Sequence, residues 1–122
     1  MTRRILIFSD KKDLIDLLSI TALTLTKLNH QVTFEEVDTE EKYIRRSGDE
    51  NVNMILLDLD LKDVNVIDLI RKFRKRCPTS SKKLIAFYKD NEFLKSQAFE
   101  AGCDSVMRED ELKVVANNLF SF

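Results

Sequence analysis

The chain has 122 residues and a mass of 14.2 kDa, enough for one domain, read as 1–122, and too little for two. Hydrophobic residues make up 43%, sufficient for a core, while the 34% that are charged nearly cancel to a net charge of -1. That balance argues against a general affinity for nucleic acid or for an anionic membrane. No apolar run approaches a membrane span, and the four-residue stretch Ile5-Leu6-Ile7-Phe8 is too short for the core of a signal peptide. The expected location is the cytoplasm. Cys77 and Cys103 form no CxxC pair and are read as reduced thiols. A single histidine, His30, leaves zinc sites and His-based triads hard to assemble and is placed at a helix end.

Along the chain, short apolar runs alternate with longer segments of helical period. Ile5–Phe8 is bounded by charge, as expected of a strand buried on both faces. Leu14, Leu18, Thr21, Leu25 and Leu28 then recur at helical spacing. From Gln31 to Val37 the pattern alternates, with Val32 and Phe34 on one side, which predicts an edge strand with one wet face. Thr39 is the N-cap of a short helix through about Arg46, closed by Gly48. Met54-Ile55-Leu56-Leu57 is the second fully apolar strand and ends on Asp58. A helix follows with Val66, Leu69, Ile70 and Phe73 on one side, and Pro78 ends it. Leu84–Phe87 is the third apolar strand. The segment from about Asn91 to Ala101 is helical and stops at Gly102, and Ser105-Val106-Met107 is a short fifth strand. The last helix carries Leu112, Val115, Ala116 and Leu119.

Five strand–helix units in strict alternation imply a parallel sheet with helices on both faces, an α/β/α sandwich. The flavodoxin-like doubly wound order 2-1-3-4-5 accommodates them, with ligands beyond the carboxyl ends of the strands where strands 1 and 3 meet. Asp10 lies just past strand 1, Asp58 ends strand 3, and Asp60 follows two residues on. Carboxylates brought together repel, and a hard cation such as Mg²⁺ is the common remedy. A carboxylate beside Mg²⁺ is also a competent nucleophile towards a phosphoryl group. The plainer reading is that these aspartates cap strand ends and turns.

Three segments carry a resemblance to a family. Arg4-Ile-Leu-Ile-Phe-Ser-Asp10, Met54-Ile-Leu-Leu-Asp58-Leu-Asp-Leu61 and Phe99-Glu-Ala-Gly-Cys-Asp104 resemble the CheY-like receiver domains of two-component response regulators. The likeness implies that Asp58 is the phosphoacceptor. It also implies that Asp10 is one acid of the Mg²⁺-holding pair and that Asp60 offers its backbone carbonyl to the metal. The sequence departs from the family at several matching positions. Ser9 stands for the other acid, Phe87 for the switch Ser or Thr, and Tyr88 for the small residue after it. Val106 stands for the switch aromatic, Glu109-Asp110 for Lys-Pro, and Lys62 for the Pro four residues after the acceptor. Ser9 lowers metal affinity, Phe87 cannot hydrogen-bond a phosphoryl oxygen, Tyr88 crowds the pocket, and Glu109 reverses a charge. Lys11, Lys62, Lys89 and Arg108 are candidates for compensating positive charge.

The resemblance thus implies a degenerate receiver domain, not an enzyme, that acts by binding another protein through its fourth helix, fifth strand and fifth helix. The implied partners are a histidine kinase or phosphotransfer protein, or one engaged independently of phosphorylation, with the chain itself a monomer or weak homodimer. A working receiver phosphorylated on Asp58 is the alternative. A small DxD phosphohydrolase using Asp58 and Asp60 is a third, although Lys62 stands where that motif has Thr or Val. An EF-hand fails on Lys62 and Leu69, and phosphate-binding glycine loops fail in a chain with two glycines. The basic run Arg71, Lys72, Arg74, Lys75, Arg76, Lys82 and Lys83 is read as a solvated face complementing a helix dipole. Phe120 and Phe122 are either packing residues or a small patch for a partner. The short tail after Leu119 is read as the end of a complete single-domain protein.

Overall fold

The computed structural model describes residues 2–77 and 82–121. Pro78 and Phe122 lie outside the described residues. Eleven elements follow one another: β1 (Thr2–Phe8), α1 (Lys12–Lys27), β2 (Gln31–Val37), α2 (Glu40–Ser47), β3 (Met54–Asp58), α3 (Val66–Arg76), β4 (Lys83–Tyr88), a 3-10 turn (Glu92–Leu94), α4 (Lys95–Ala101), β5 (Ser105–Arg108) and α5 (Glu109–Phe120). The strands form one five-stranded sheet in the order β2-β1-β3-β4-β5, and every pairing is parallel. This is the expected doubly wound α/β fold.

The continuous apolar runs are explained by burial on both faces, since successive strand side chains point to opposite sides. Leu6, Phe8, Ile55, Leu57, Leu84, Ala86 and Tyr88 pack with Tyr43 of α2, with Leu69, Ile70 and Phe73 of α3 and with Ala98 of α4. Ile5, Ile7, Met54, Leu56, Ile85 and Phe87 pack on the other side with Leu14, Leu18 and Leu25 of α1 and Leu112, Ala116 and Phe120 of α5. β2 is an edge strand whose buried residues are Val32 and Val37.

The helix ends follow local chemistry. Thr39 accepts the Lys42 N–H and Asn65 accepts the Asp68 N–H, which caps α2 and α3. At the end of α1, Asn29 takes the left-handed conformation with φ 73, its N–H reaches Thr26, and the His30 N–H reaches Leu25. That is a Schellman closure, in which Asn29 supplies the turn and His30 a backbone donor. Leu28, expected on the buried stripe, is 64% exposed because the helix has already ended. In α5 the buried set is Leu112, Ala116 and Phe120, while Val115 and Leu119 are half-buried. Phe120 is fully buried with its ring 6.1 Å from that of Phe34, so it is a packing residue.

Candidate functional site

Register brings the site together. Phe8 pairs with Leu57 across β1 and β3, so the next residues, Ser9 and Asp58, are neighbours. Asp58 shares the parity of Met54 and Leu56 and therefore points towards the α1 side of the sheet. Its side chain is fully buried. Ser9 Oγ donates to Asp58 Oδ2 at 2.7 Å and accepts the Lys11 N–H at 3.1 Å. The Asp60 N–H donates to Asp58 Oδ1 at 2.8 Å.

Lys11 supplies the positive charge. Its Nζ lies 2.5 Å from Asp60 Oδ2, 3.4 Å from Glu109 Oε1 and 3.5 Å from Asp58 Oδ1. It also stands 5.8 Å over the centre of the Phe87 ring, within reach of a cation–π attraction. Of the four basic residues considered for this role, Lys11 takes it with its side chain. Lys89 contributes a backbone N–H at 2.7 Å to Asp60, and Lys62 and Arg108 are exposed. The Asp60 carboxylate accepts further N–H groups from Asp90 and Asn91, so it anchors the turn after β4.

The charges respond to these surroundings. Burial raises the Asp58 pKa above its usual value, and the Ser9 hydroxyl, the Asp60 N–H and the Lys11 charge oppose that only in part. Burial acts to raise Asp60 as well. There the Lys11 bond and the Lys89 and Asn91 N–H groups prevail and hold the carboxyl low. Burial pulls the Lys11 ammonium down, but the Asp60 hydrogen bond and the charges of Asp58, Asp60 and Glu109 leave it raised.

The other expected residues are distributed as follows. Asp10 is exposed and lines two clefts, one of ~460 Å³ with Ser9, Lys12 and Asp38 and one of ~570 Å³ with Lys11, Lys89 and Glu109. Asp58 lines neither cleft. Phe87 is buried beside the site, whereas Tyr88 and Val106 are buried on the opposite face of the sheet. Tyr88 therefore fills core under α3 and α4 instead of crowding the pocket, because strand parity turns it away from Phe87. Glu109 opens α5 and is 8% exposed. Among the described residues, no three His, Cys, Asp or Glu side chains are grouped to hold a metal. The donor set does not fit Mg²⁺, which wants several oxygen ligands in octahedral array. Of the expected ligands, Asp58 has both carboxylate oxygens hydrogen-bonded and Lys11 Nζ 3.5 Å from Oδ1, while Asp10 is exposed.

The basic run is largely used within the fold. Arg74 donates to the Gly102 carbonyl and to Asp104, Arg76 to Ser47 Oγ, and Lys82 to the carbonyls of Ser47 and Asp49, while Lys72 pairs with Asp68. Burial pushes the Cys103 thiol up to about 12, so it is an inert core group. Among the described residues, no helix is long and apolar enough to cross a membrane.

No protein-family model and no curated protein sequence matches the chain. Solved structures do. A CheY-like response regulator receiver domain protein from Methanospirillum hungatei JF-1 superposes with a TM-score of 0.71 at 21% identity, covering 98% of this chain and 94% of that one. The signal receiver domain of a DNA-binding response regulator from Colwellia psychrerythraea 34H gives 0.76 at 15% identity, covering 96% and 97%. A response regulator from Burkholderia pseudomallei, solved with a phosphorylated aspartic acid, a calcium ion and citrate, gives 0.69 at 18% identity. The chain spans 65% of that protein's length and is covered over 93% of its own. The order of the sheet and these superpositions agree: the chain has the CheY-like receiver fold of response regulators.

Proposed function

We propose that the chain is a degenerate receiver domain of a two-component signalling system, which acts by binding another protein and not by carrying a phosphoryl group on Asp58. The observation that supports this reading best is the position of Lys11. Its ammonium stands among Asp58, Asp60 and Glu109, where it supplies positive charge at the acidic end of the sheet.

Phosphoryl transfer to a carboxylate depends on positive charge and donors aimed at the transferring oxygens. Here one ammonium is shared among three acids, the Phe87 ring offers no donor, and Asp58 is enclosed with both oxygens hydrogen-bonded. A carboxylate so engaged is poorly placed to attack. The protein-binding surface is the face of α4, β5 and α5, where Phe99 of α4 and Val114 of α5 are 46% and 80% exposed, with Phe93 of the preceding 3-10 turn 71% exposed. The histidine kinase, phosphotransfer protein or phosphorylation-independent partner expected from the resemblance would meet that face, in the cytoplasm.

The test is to incubate the chain with Mg²⁺ and a small phosphodonor and weigh it intact. No phosphoryl adduct is expected, and Mg²⁺ should leave the amide NMR spectrum unchanged. An adduct lost in Asp58→Asn would overturn the reading in favour of a working receiver. Phosphate release without an adduct would overturn it in favour of a DxD phosphohydrolase.

A further inference from the structure

Helix α1 is apolar on two opposite faces. Leu14, Ile15, Leu18, Ala22 and Leu25 are buried against the sheet and α5, as an amphipathic helix requires. Its outer side nevertheless presents Leu17, Ile20 and Leu23, which are 42%, 61% and 56% exposed, with Leu28 64% exposed just past its end. Four of the seven exposed large hydrophobic residues of the described chain thus lie on this one helix and its cap. Packing within the domain does not explain them.

Their arrangement does. Asp13, Leu17, Ile20, Leu23 and Lys27 follow one another at spacings of four, three, three and four, which read the same in both directions about Ile20. Each step is a helical-neighbour spacing, so the five residues make one continuous stripe. Asp13 and Lys27 are exposed and, among the described residues, neither forms an ion pair within the chain. When two such helices lie antiparallel with a two-fold axis at Ile20, Ile20 meets Ile20, Leu17 meets Leu23, and Asp13 meets Lys27 twice. A two-fold interface requires self-complementarity of this kind. A parallel arrangement would instead set Asp13 against Asp13 and Lys27 against Lys27.

We infer that the outer face of α1 is a docking surface for a second copy of this chain, joined antiparallel about Ile20 through the Leu17–Leu23 apolar contacts and the Asp13–Lys27 ion pairs. The stripe lies on the helix rather than on α4, β5 and α5, so the inference stands independently of what Asp58 does. One helix pair is a small interface, so association belongs at the weak end, with a Kd of roughly 10 μM to 1 mM.

Sedimentation velocity of the full chain across that concentration range tests this. A monomer–dimer equilibrium is expected. Ile20→Lys should weaken it by about tenfold or more, since it drives two like charges together at the axis. Asp13→Lys should weaken it as well, and the double exchange Asp13→Lys with Lys27→Asp should restore it. All three sites are exposed, and circular dichroism checks that each variant is folded. A chain that stays monomeric throughout overturns the inference and leaves this face to a different protein. So does a dimer indifferent to Ile20→Lys, or a charge exchange that fails to restore association.

Discussion

Ser9 Oγ stands 2.7 Å from Asp58 Oδ2 and donates a hydrogen bond to it. Where the family resemblance expects a second acid, this chain places a hydroxyl that stabilises the carboxylate instead of repelling it. Ser9 is 5% exposed and also accepts the Lys11 N–H, so it ties the end of β1, the start of α1 and the end of β3 together. Ser9→Ala leaves a buried carboxylate short of a donor and a backbone N–H short of an acceptor. The expected loss is about 1–3 kcal/mol in urea unfolding at neutral pH. Because the lost donor had favoured the ionised form, the Asp58 pKa should rise further. A variant as stable as the parent would show that the hydroxyl contributes nothing.

Removing the internal cation should be costlier. Lys11→Ala leaves Asp58, Asp60 and Glu109 facing one another with no ammonium among them. The Lys11 side chain is 22% exposed, so the cost falls below that of orphaning fully buried charges, at about 2–4 kcal/mol. The sign with pH follows from the raised Lys11 pKa. Its contribution is fully present below the ordinary value of 10.5 and is lost only as pH climbs through the higher folded value. The parent and variant should therefore differ across neutral pH and converge only in strong alkali. Three acids without a counter-ion should also attract a divalent cation, so Mg²⁺ should raise the melting temperature of Lys11→Ala and leave the parent unchanged. An equal response in both would place the metal elsewhere.

Asp58 changes stability in the same direction with pH, but in the acid range. Its folded pKa lies above the ordinary 3.8, so its ionisation costs stability. The contribution is most favourable below 3.8 and is lost as pH rises through the elevated folded value. Asp58→Asn keeps the shape and removes the charge, so it should melt higher than the parent at neutral pH. That advantage should shrink as the solution is acidified towards the ordinary carboxylate range and the parent's own carboxyl takes up its proton. Thermal melts of both chains across the acid and neutral range measure it. A gap that stays constant with pH would mean the burial of Asp58 is fully compensated by Ser9, Asp60 and Lys11.

How much of this the sequence disclosed depends on the kind of interaction. The sheet was legible because Ile5–Phe8, Met54–Leu57 and Leu84–Phe87 are apolar at every position, which a strand covered on both faces requires. Asp58 was legible as the polar end of such a run. The role of Lys11 was legible only as one candidate among four, since its position depends on the reach of a flexible side chain across β1 and β3. Tyr88 was misjudged because its effect was argued from adjacency to Phe87, and adjacent strand residues face opposite ways. The α3 basic run looked like a solvated face, and its bonds to Gly102, Asp104 and Ser47 are long-range contacts within the fold that no local spacing encodes.

One of those contacts yields a further prediction. Arg74 Nε donates to the Gly102 carbonyl at 2.6 Å, and its outer nitrogen donates to Asp104 Oδ2 at 2.6 Å. The same Asp104 oxygen accepts the Leu84 N–H at 2.7 Å, so a single guanidinium links α3 to the entry of β5 and the start of β4. The link needs a glycine. Gly102 has φ +124, and a Cβ there would come within 2.3 Å of Arg74 Cγ. Gly102→Ala therefore meets both backbone strain and a clash with the stem of the bonded arginine, and should cost about 2–4 kcal/mol. Arg74→Ala relieves the clash but leaves the strain and removes both hydrogen bonds. In a double-mutant cycle followed by urea unfolding, the double variant should cost less than the sum of the singles, since the clash can be lost only once. Strict additivity would mean that the Arg74 stem moves aside freely and that backbone strain alone fixes glycine at this position.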